Sequence, residues 1–253
     1  GSLGDVDPGA PRLGLAGTIA FLGVGGWLMG RDLLPGPLRI PRLCMGLLAG
    51  LALLVLAGWW LQQPYIVQGG TDQVPMQFNT AVCALLLAGA LRLLSAGQRN
   101  LALLPLVPVM VLAVASLLEE YGVLPLGAGQ WLLRPGIVAE GVAPGQMAPN
   151  TATAYLVACL GVLLAPAGRE GSAVRWSATW ACGFVVTIIA LIALIGYLVQ
   201  VPVLRGWGAN TPMALMTAFA LLLAGMALGF SGMAFRRDIG LRGNWVPVVV
   251  AGA

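Results

Sequence analysis

Residues 43–61 read Leu43-Cys44-Met45-Gly46-Leu47-Leu48-Ala49-Gly50-Leu51-Ala52-Leu53-Leu54-Val55-Leu56-Ala57-Gly58-Trp59-Trp60-Leu61, without one charged side chain. At about 1.5 Å rise per residue a helix of this length nearly matches the ~30 Å hydrocarbon core of a bilayer. Comparable runs lie at Leu13–Met29, Phe78–Ala96, Leu101–Leu118, Pro149–Ala167, Ser177–Val199 and Pro212–Phe235, and an eighth begins at Trp245. Lipid leaves backbone groups no outside partner, and no alternating barrel pattern is present, so the runs predict helices. The expected fold is an all-α membrane protein of seven complete transmembrane helices plus the start of an eighth.

Composition agrees. Of 253 residues 59% are hydrophobic and 9% charged, against roughly 25% charged in soluble domains. The formal charge of +4 comes from arginine alone, with no cluster beyond Arg236-Arg237 to suggest nucleic acid. Histidine is absent, which removes the commonest general base and most zinc and haem sites. Cys44, Cys83, Cys159 and Cys182 each fall in an apolar run outside any C-x-x-C pair, and read as small hydrophobes.

The loops orient the chain. Arg31, Arg39, Arg42, Arg92, Arg99, Arg169, Arg175, Arg236, Arg237 and Arg242 fall on one side, and Arg12, Arg134 and Arg205 with most acids on the other. Positive loops stay in the cytoplasm, so the N-terminus is expected outside. Trp59, Trp60, Trp131 and Trp207 would form the outer aromatic belt, Trp176 and Trp245 the inner. Residues 1–12 read as a cloning remnant (Gly1-Ser2) and an outer tail. Residues 13–253 read as one transmembrane domain that stops inside its eighth helix.

Three helix starts share M-x-x-x-T-A. They are Met76 to Ala81, Met147 to Ala152 and Met213 to Ala218, at spacings of 71 and 66 residues. Each is preceded by an aromatic and a proline: Trp60 and Pro64, Tyr121 and Pro125, Tyr197 and Pro202. The chain therefore reads as repeated helical hairpins of about 70 residues. Asn79, Asn150 and Asn210 or Thr211 suit helix caps, and each Thr can return its hydroxyl to the carbonyl four residues back. The repeated groups share one membrane depth. That motivates a ligand pocket in the outer half, lined by Met76, Thr80, Met147, Thr151, Met213 and Thr217, with Glu120, Tyr121 and Tyr197 at its mouth.

Other motifs lead nowhere. Gly229-Phe230-Ser231-Gly232 matches the G-x-S-G of intramembrane proteases, but the chain has no histidine to activate the serine. Gly23-Val24-Gly25-Gly26 lacks the lysine and strand of a phosphate loop. A Cu(I) site from Met76, Met147, Met213 and Met216 is chemically conceivable, yet methionine more often packs, and no metal or cofactor is expected.

The stretches Leu117–Gly122 with Gln146–Ala152, and Ile192–Tyr197 with Met213–Ala218, resemble the multi-helix N-terminal region of bacterial sensor histidine kinases and GGDEF/EAL cyclic-di-GMP enzymes. The resemblance runs roughly from Val74 to Val250. It implies a non-catalytic input domain in the bacterial inner membrane, joined to a downstream kinase or cyclase. Its expected partners are the lipid bilayer, a small or lipid-like ligand, and a second copy in a homodimer of the full-length protein. A small transporter or channel, or a structural membrane subunit, is the alternative.

Overall fold

The computed structural model describes residues 39–69, 73–132, 145–166, 172–207 and 211–238. Every regular element among them is helical. The expected first segment, Leu13–Met29, and the eighth, from Trp245, lie outside the described residues.

The six remaining segments are all present. They are α1 (Arg39–Trp60), α3 (Phe78–Ser95), α4 and α5 together (Arg99–Leu103 and Leu106–Glu120), α6 (Pro149–Leu164), α7 (Ala173–Leu198) and α9 (Leu215–Asp238). All but α6 are long and apolar enough to cross a membrane, counting Arg99–Glu120 as one span. Between α4 and α5 the chain makes a turn at Leu104-Pro105, because proline has no N–H to continue the helical ladder. Two short helices lie in loops: α2 (Pro64–Gln68) and α8 (Pro202–Arg205). Leu124–Leu133, expected to hold an interfacial helix, forms only a 3₁₀ turn at Ala128–Gln130 among its described residues.

The packing has two layers. Helices α3, α6 and α9 touch one another in the middle. Around them, α1 packs against α3 and α9, α5 against α3 and α6, and α7 against α6 and α9. Each outer helix thus wedges between two inner ones. Burial follows this order, with more than half of the α3 and α9 spans buried and only a third of α7. Phe184, Val185, Ile188, Leu191, Ile192 and Ile195 of α7 are left exposed, as are Val107, Val111 and Val114 of α5. Apolar surface that extensive fits lipid, not water. The chain is a multi-pass membrane protein.

Small residues set the closest approach. A methyl group added at Gly183 of α7 would lie 2.7 Å from Gly229 Cα and 2.8 Å from the Gly225 carbonyl of α9. These two backbones touch directly, the contact that glycine permits in membranes. At the Arg-rich end, Arg99 Nε and Nη2 donate to the carbonyls of Ala165 and Leu163, both at 2.9 Å. Arg175 Nε donates to Leu164 at 3.0 Å. Two neighbouring helices thereby supply partners for the last carbonyls of α6, which no helix can satisfy for itself.

Two tryptophans depart from the expected belts. Trp60, Trp131 and Trp207 are exposed, but Trp59 and Trp176 are buried within the bundle. The four cysteines are free. Ser231 is buried and donates to the Ala227 carbonyl at 2.7 Å, a back-bond within its own helix.

Candidate functional site

The three inner helices start in the same register. Thr80, Thr151 and Thr217 are each the third residue of their helix, and Met76, Met147 and Met213 each stand two residues before its first. The expected asparagine caps are displaced. The residues capping α3 and α6 are Gln77 and Ala148, both extended and neither giving a side-chain cap. Asn79 and Asn150, two positions further in, reach sideways instead. Asn79 Nδ2 donates to the Ala128 carbonyl at 2.7 Å, in the loop that leads to α6. Asn150 Nδ2 donates to the Arg205 carbonyl at 3.1 Å, in the loop that leads to α9. Met216, the matching residue of α9, packs its side chain on Gly69, in the loop between α1 and α3. Each inner helix therefore holds the connection into another, and the ring closes.

Two of those connections are built alike. After α1, the Gln63 N–H bonds the Gly58 carbonyl at 2.9 Å; after α7, the Val201 N–H bonds the Gly196 carbonyl at 3.0 Å. Gln62 and Gln200 take left-handed backbone, φ 52° and 57°, the conformation this helix-ending motif requires. A proline-initiated short helix then folds back on Gly58 or Gly196, where any larger side chain would strike Ile66 or Leu204. Finally an aromatic donor reaches the methionine carbonyl: Trp59 Nε1 to Met76 at 2.8 Å, Tyr197 Oη to Met213 at 2.7 Å. The aromatic matching Tyr197 is thus Trp59, not Trp60 as sequence spacing suggests. After α5 the Val123 N–H bonds Leu118 in the same way at 2.8 Å, with Gly122 left-handed at φ 67°. There the aromatic's place goes to Glu119, whose Oε2 accepts from the Ala128 N–H at 2.9 Å.

These arrangements bring the three threonines together. Thr80, Thr151 and Thr217 line one cleft with Gln77, Gln146 and Thr211, closed by Val74, Pro75, Ala148, Pro212 and Ala214. Its cavity volume is about 10 Å³, room for one water-sized occupant. The threonines are 1–2% exposed, yet among the described residues none of their hydroxyls has a hydrogen-bond partner. The expected return bond to the carbonyl four residues back does not form. That carbonyl belongs to Met76, Met147 or Met213, which precedes the helix, and in two cases the aromatic donor already holds it. Thr179 and Thr187, deeper in α7, do make the bond, at 3.1 and 2.9 Å.

The remaining proposed residues are placed differently. Met76, Met147 and Met213 are buried at 0–1% exposure but do not line the cleft. Tyr121 is 58% exposed. Tyr197 spends its hydroxyl on Met213, with the Arg205 guanidinium 4.6 Å from its ring centre. Glu120 stands at the rim. It accepts from the Thr211 N–H at 3.0 Å, from the Thr211 hydroxyl at 3.3 Å and from the Gln146 amide, so it clamps the entries to α9 and α6 together. Gln77, Gln146 and Thr211 were not legible as site residues. Each precedes a helix, where the sequence offers only a polar loop. Among the described residues no group of histidine, cysteine and carboxylate side chains could hold a metal. Compared with known protein families, curated proteins and solved structures, the chain returns no match.

Proposed function

We propose that the chain is the sensory input region of a bacterial signalling protein, lying in the inner membrane with its arginine-rich loops in the cytoplasm. In this reading it has seven spans and the start of an eighth, arranged as hairpins. A small ligand enters the cleft from outside, and the response leaves through the segment after α9. One observation carries the proposal. Three buried hydroxyls from three separate inner helices meet, unpaired, in a single space. Hydroxyls that open into one small space without a protein partner suit a small polar occupant. Because the cleft joins the ends of all three inner helices, an occupant bound more tightly in one packing than another shifts the whole bundle.

The complete gene and the complete protein test this. The expected outcome is that the reading frame continues past residue 253 into a kinase or GGDEF segment, and that Thr151→Val together with Thr217→Val changes that segment's activity while the protein still reaches the membrane. A stop codon soon after residue 253 would return the chain to the transporter or structural readings.

A further inference from the structure

We propose that the cleft is held closed in this packing, and that the Glu120 carboxylate is the latch that holds it. This rests on the reading of the cleft as the input site and adds how a ligand gains entry.

The volume comes first. A space of about 10 Å³ takes one water at most, so a larger ligand enters only if part of the lining moves. Thr80, Thr151 and Thr217 are the fixed part. Each is buried in the first turn of an inner helix, and those helices pack on one another in the middle of the bundle. Gln77 is held from its far side, its Oε1 accepting from the Gly145 N–H at 3.1 Å. Gln146 and Thr211 are different. They stand in the extended stretches just before α6 and α9, and a single side chain holds both. Glu120 Oε1 accepts from the Thr211 N–H at 3.0 Å, and its Oε2 accepts from the Thr211 hydroxyl at 3.3 Å and from the Gln146 amide. Hydrogen bonds to an ionised acceptor are roughly twice as strong as neutral ones, which suits a group that must hold two loops at once. Helix α5, which Glu120 ends, packs against α3 and α6, and through this carboxylate it also grips the entry to α9. The neighbouring Glu119 plays no part in the lining, since it holds the Ala128 N–H instead. When Glu120 lets go, the entries to α6 and α9 part while the threonines keep their places, and their hydroxyls become reachable.

The test follows opening directly. Thr151→Cys is placed in the whole chain without its four native cysteines and reconstituted in lipid nanodiscs. Its modification by methyl methanethiosulfonate, a neutral reagent larger than a water, is timed by mass spectrometry. The thiol reacts only when the cleft opens, so the rate follows the open population. Glu120→Ala is expected to raise the rate at least about tenfold, the effect of one lost hydrogen bond to a charged group. Glu120→Gln, with the same reach and an oxygen for the Thr211 N–H, should raise it less. Gly183→Ala disturbs the α7–α9 contact at Gly225, about 15 Å along α9 from its start, and should leave the rate unchanged. That control separates the latch from general loosening. Thr217→Cys repeats the measurement from a second helix should Thr151→Cys fold poorly. An unchanged rate in Glu120→Ala, or an equal rise in Gly183→Ala, overturns the latch and leaves the input reading to its own test. A faster rate in Glu120→Ala, with the output of the full-length protein unaltered, keeps the latch and removes the input reading.

Discussion

Tyr197 and Trp59 show how much a single donor can organise. Each ends a spanning helix, crosses the loop that follows and bonds the carbonyl of a methionine just before an inner helix. Within a membrane protein such a bond is worth about 1 kcal/mol, since the unfolded chain in lipid also finds partners. Tyr197→Phe keeps the ring under Arg205 and removes only the hydroxyl. It should lower stability by about 1 kcal/mol in a denaturation titration, whereas Tyr121→Phe, at an exposed ring, should leave it unchanged. Equal effects would mean that the Met213 carbonyl finds another donor. Sequence spacing placed all three aromatics in one set because it counts residues and cannot see which one faces the loop. The αL residue decides that: Gln62 and Gln200 each lie three positions after the donor. A glutamine gives no hint that it will take that backbone. The threonines were legible because N3 is set by the helix start, and the start is written in the M-x-x-x-T-A spacing. The methionines stand off the cleft for the same local reason. Two residues before a helix the chain is extended, and its side chains need not share the helix's face.

At the level of single helices, hydropathy was enough to find every described span, because the bilayer demands length and apolarity before anything else. Ends and contacts needed the fold. Gly183, Gly225 and Gly229 look in sequence like any other small residues of a membrane helix, yet they decide how closely α7 and α9 approach. Gly183→Ala drives a methyl into backbone, where nothing can swing aside, and should cost about 1–3 kcal/mol. Gly89→Ala, in open space on α3, should be neutral or stabilise by up to about 1 kcal/mol through helix propensity. The two variants compared in the same unfolding assay check the seam; equal stability would place the close contact elsewhere. Arg99 offers a second test. Its planar fork serves two carbonyls of the α6 end, a geometry that lysine cannot copy. Arg99→Lys should therefore recover less than half of the stability lost in Arg99→Ala.

For the molecule as a whole, the central observation is that α3, α6 and α9 sit inside and α1, α5 and α7 outside. Neither composition nor periodicity reveals this, since both sets are apolar around most of their circumference. Its trace is burial, which is known only once the neighbours are. For orientation the sequence supplies a proposal to test: Arg39, Arg92, Arg99 and Arg175 fall at one end of the described helices, and Glu119 and Glu120 at the other, and positive loops stay in the cytoplasm. Single cysteines at Ala96 and Val203, in a background without the four native ones, measure it. Both sites leave φ and packing undisturbed, Val203 being 68% exposed. In intact cells an impermeant maleimide should label position 203 and spare position 96. The reverse pattern would invert the chain in the membrane and place the cleft on the cytoplasmic side.

The shortness of α6 has a consequence for how the protein is made. Sixteen residues span about 24 Å, some 6 Å less than the hydrocarbon core, and its first turn carries Asn150 and Thr151. As it leaves the ribosome, this segment is a poor substrate for the translocon by itself. The groups that complete it come from elsewhere in the chain: Arg99 is already synthesised, Arg175 and the whole of α7 follow. Its entry into the bilayer is therefore a joint event with its neighbours. A chain truncated after Leu164 and released from the ribosome should leave residues 149–164 accessible to protease, and one truncated after Leu198 should protect them.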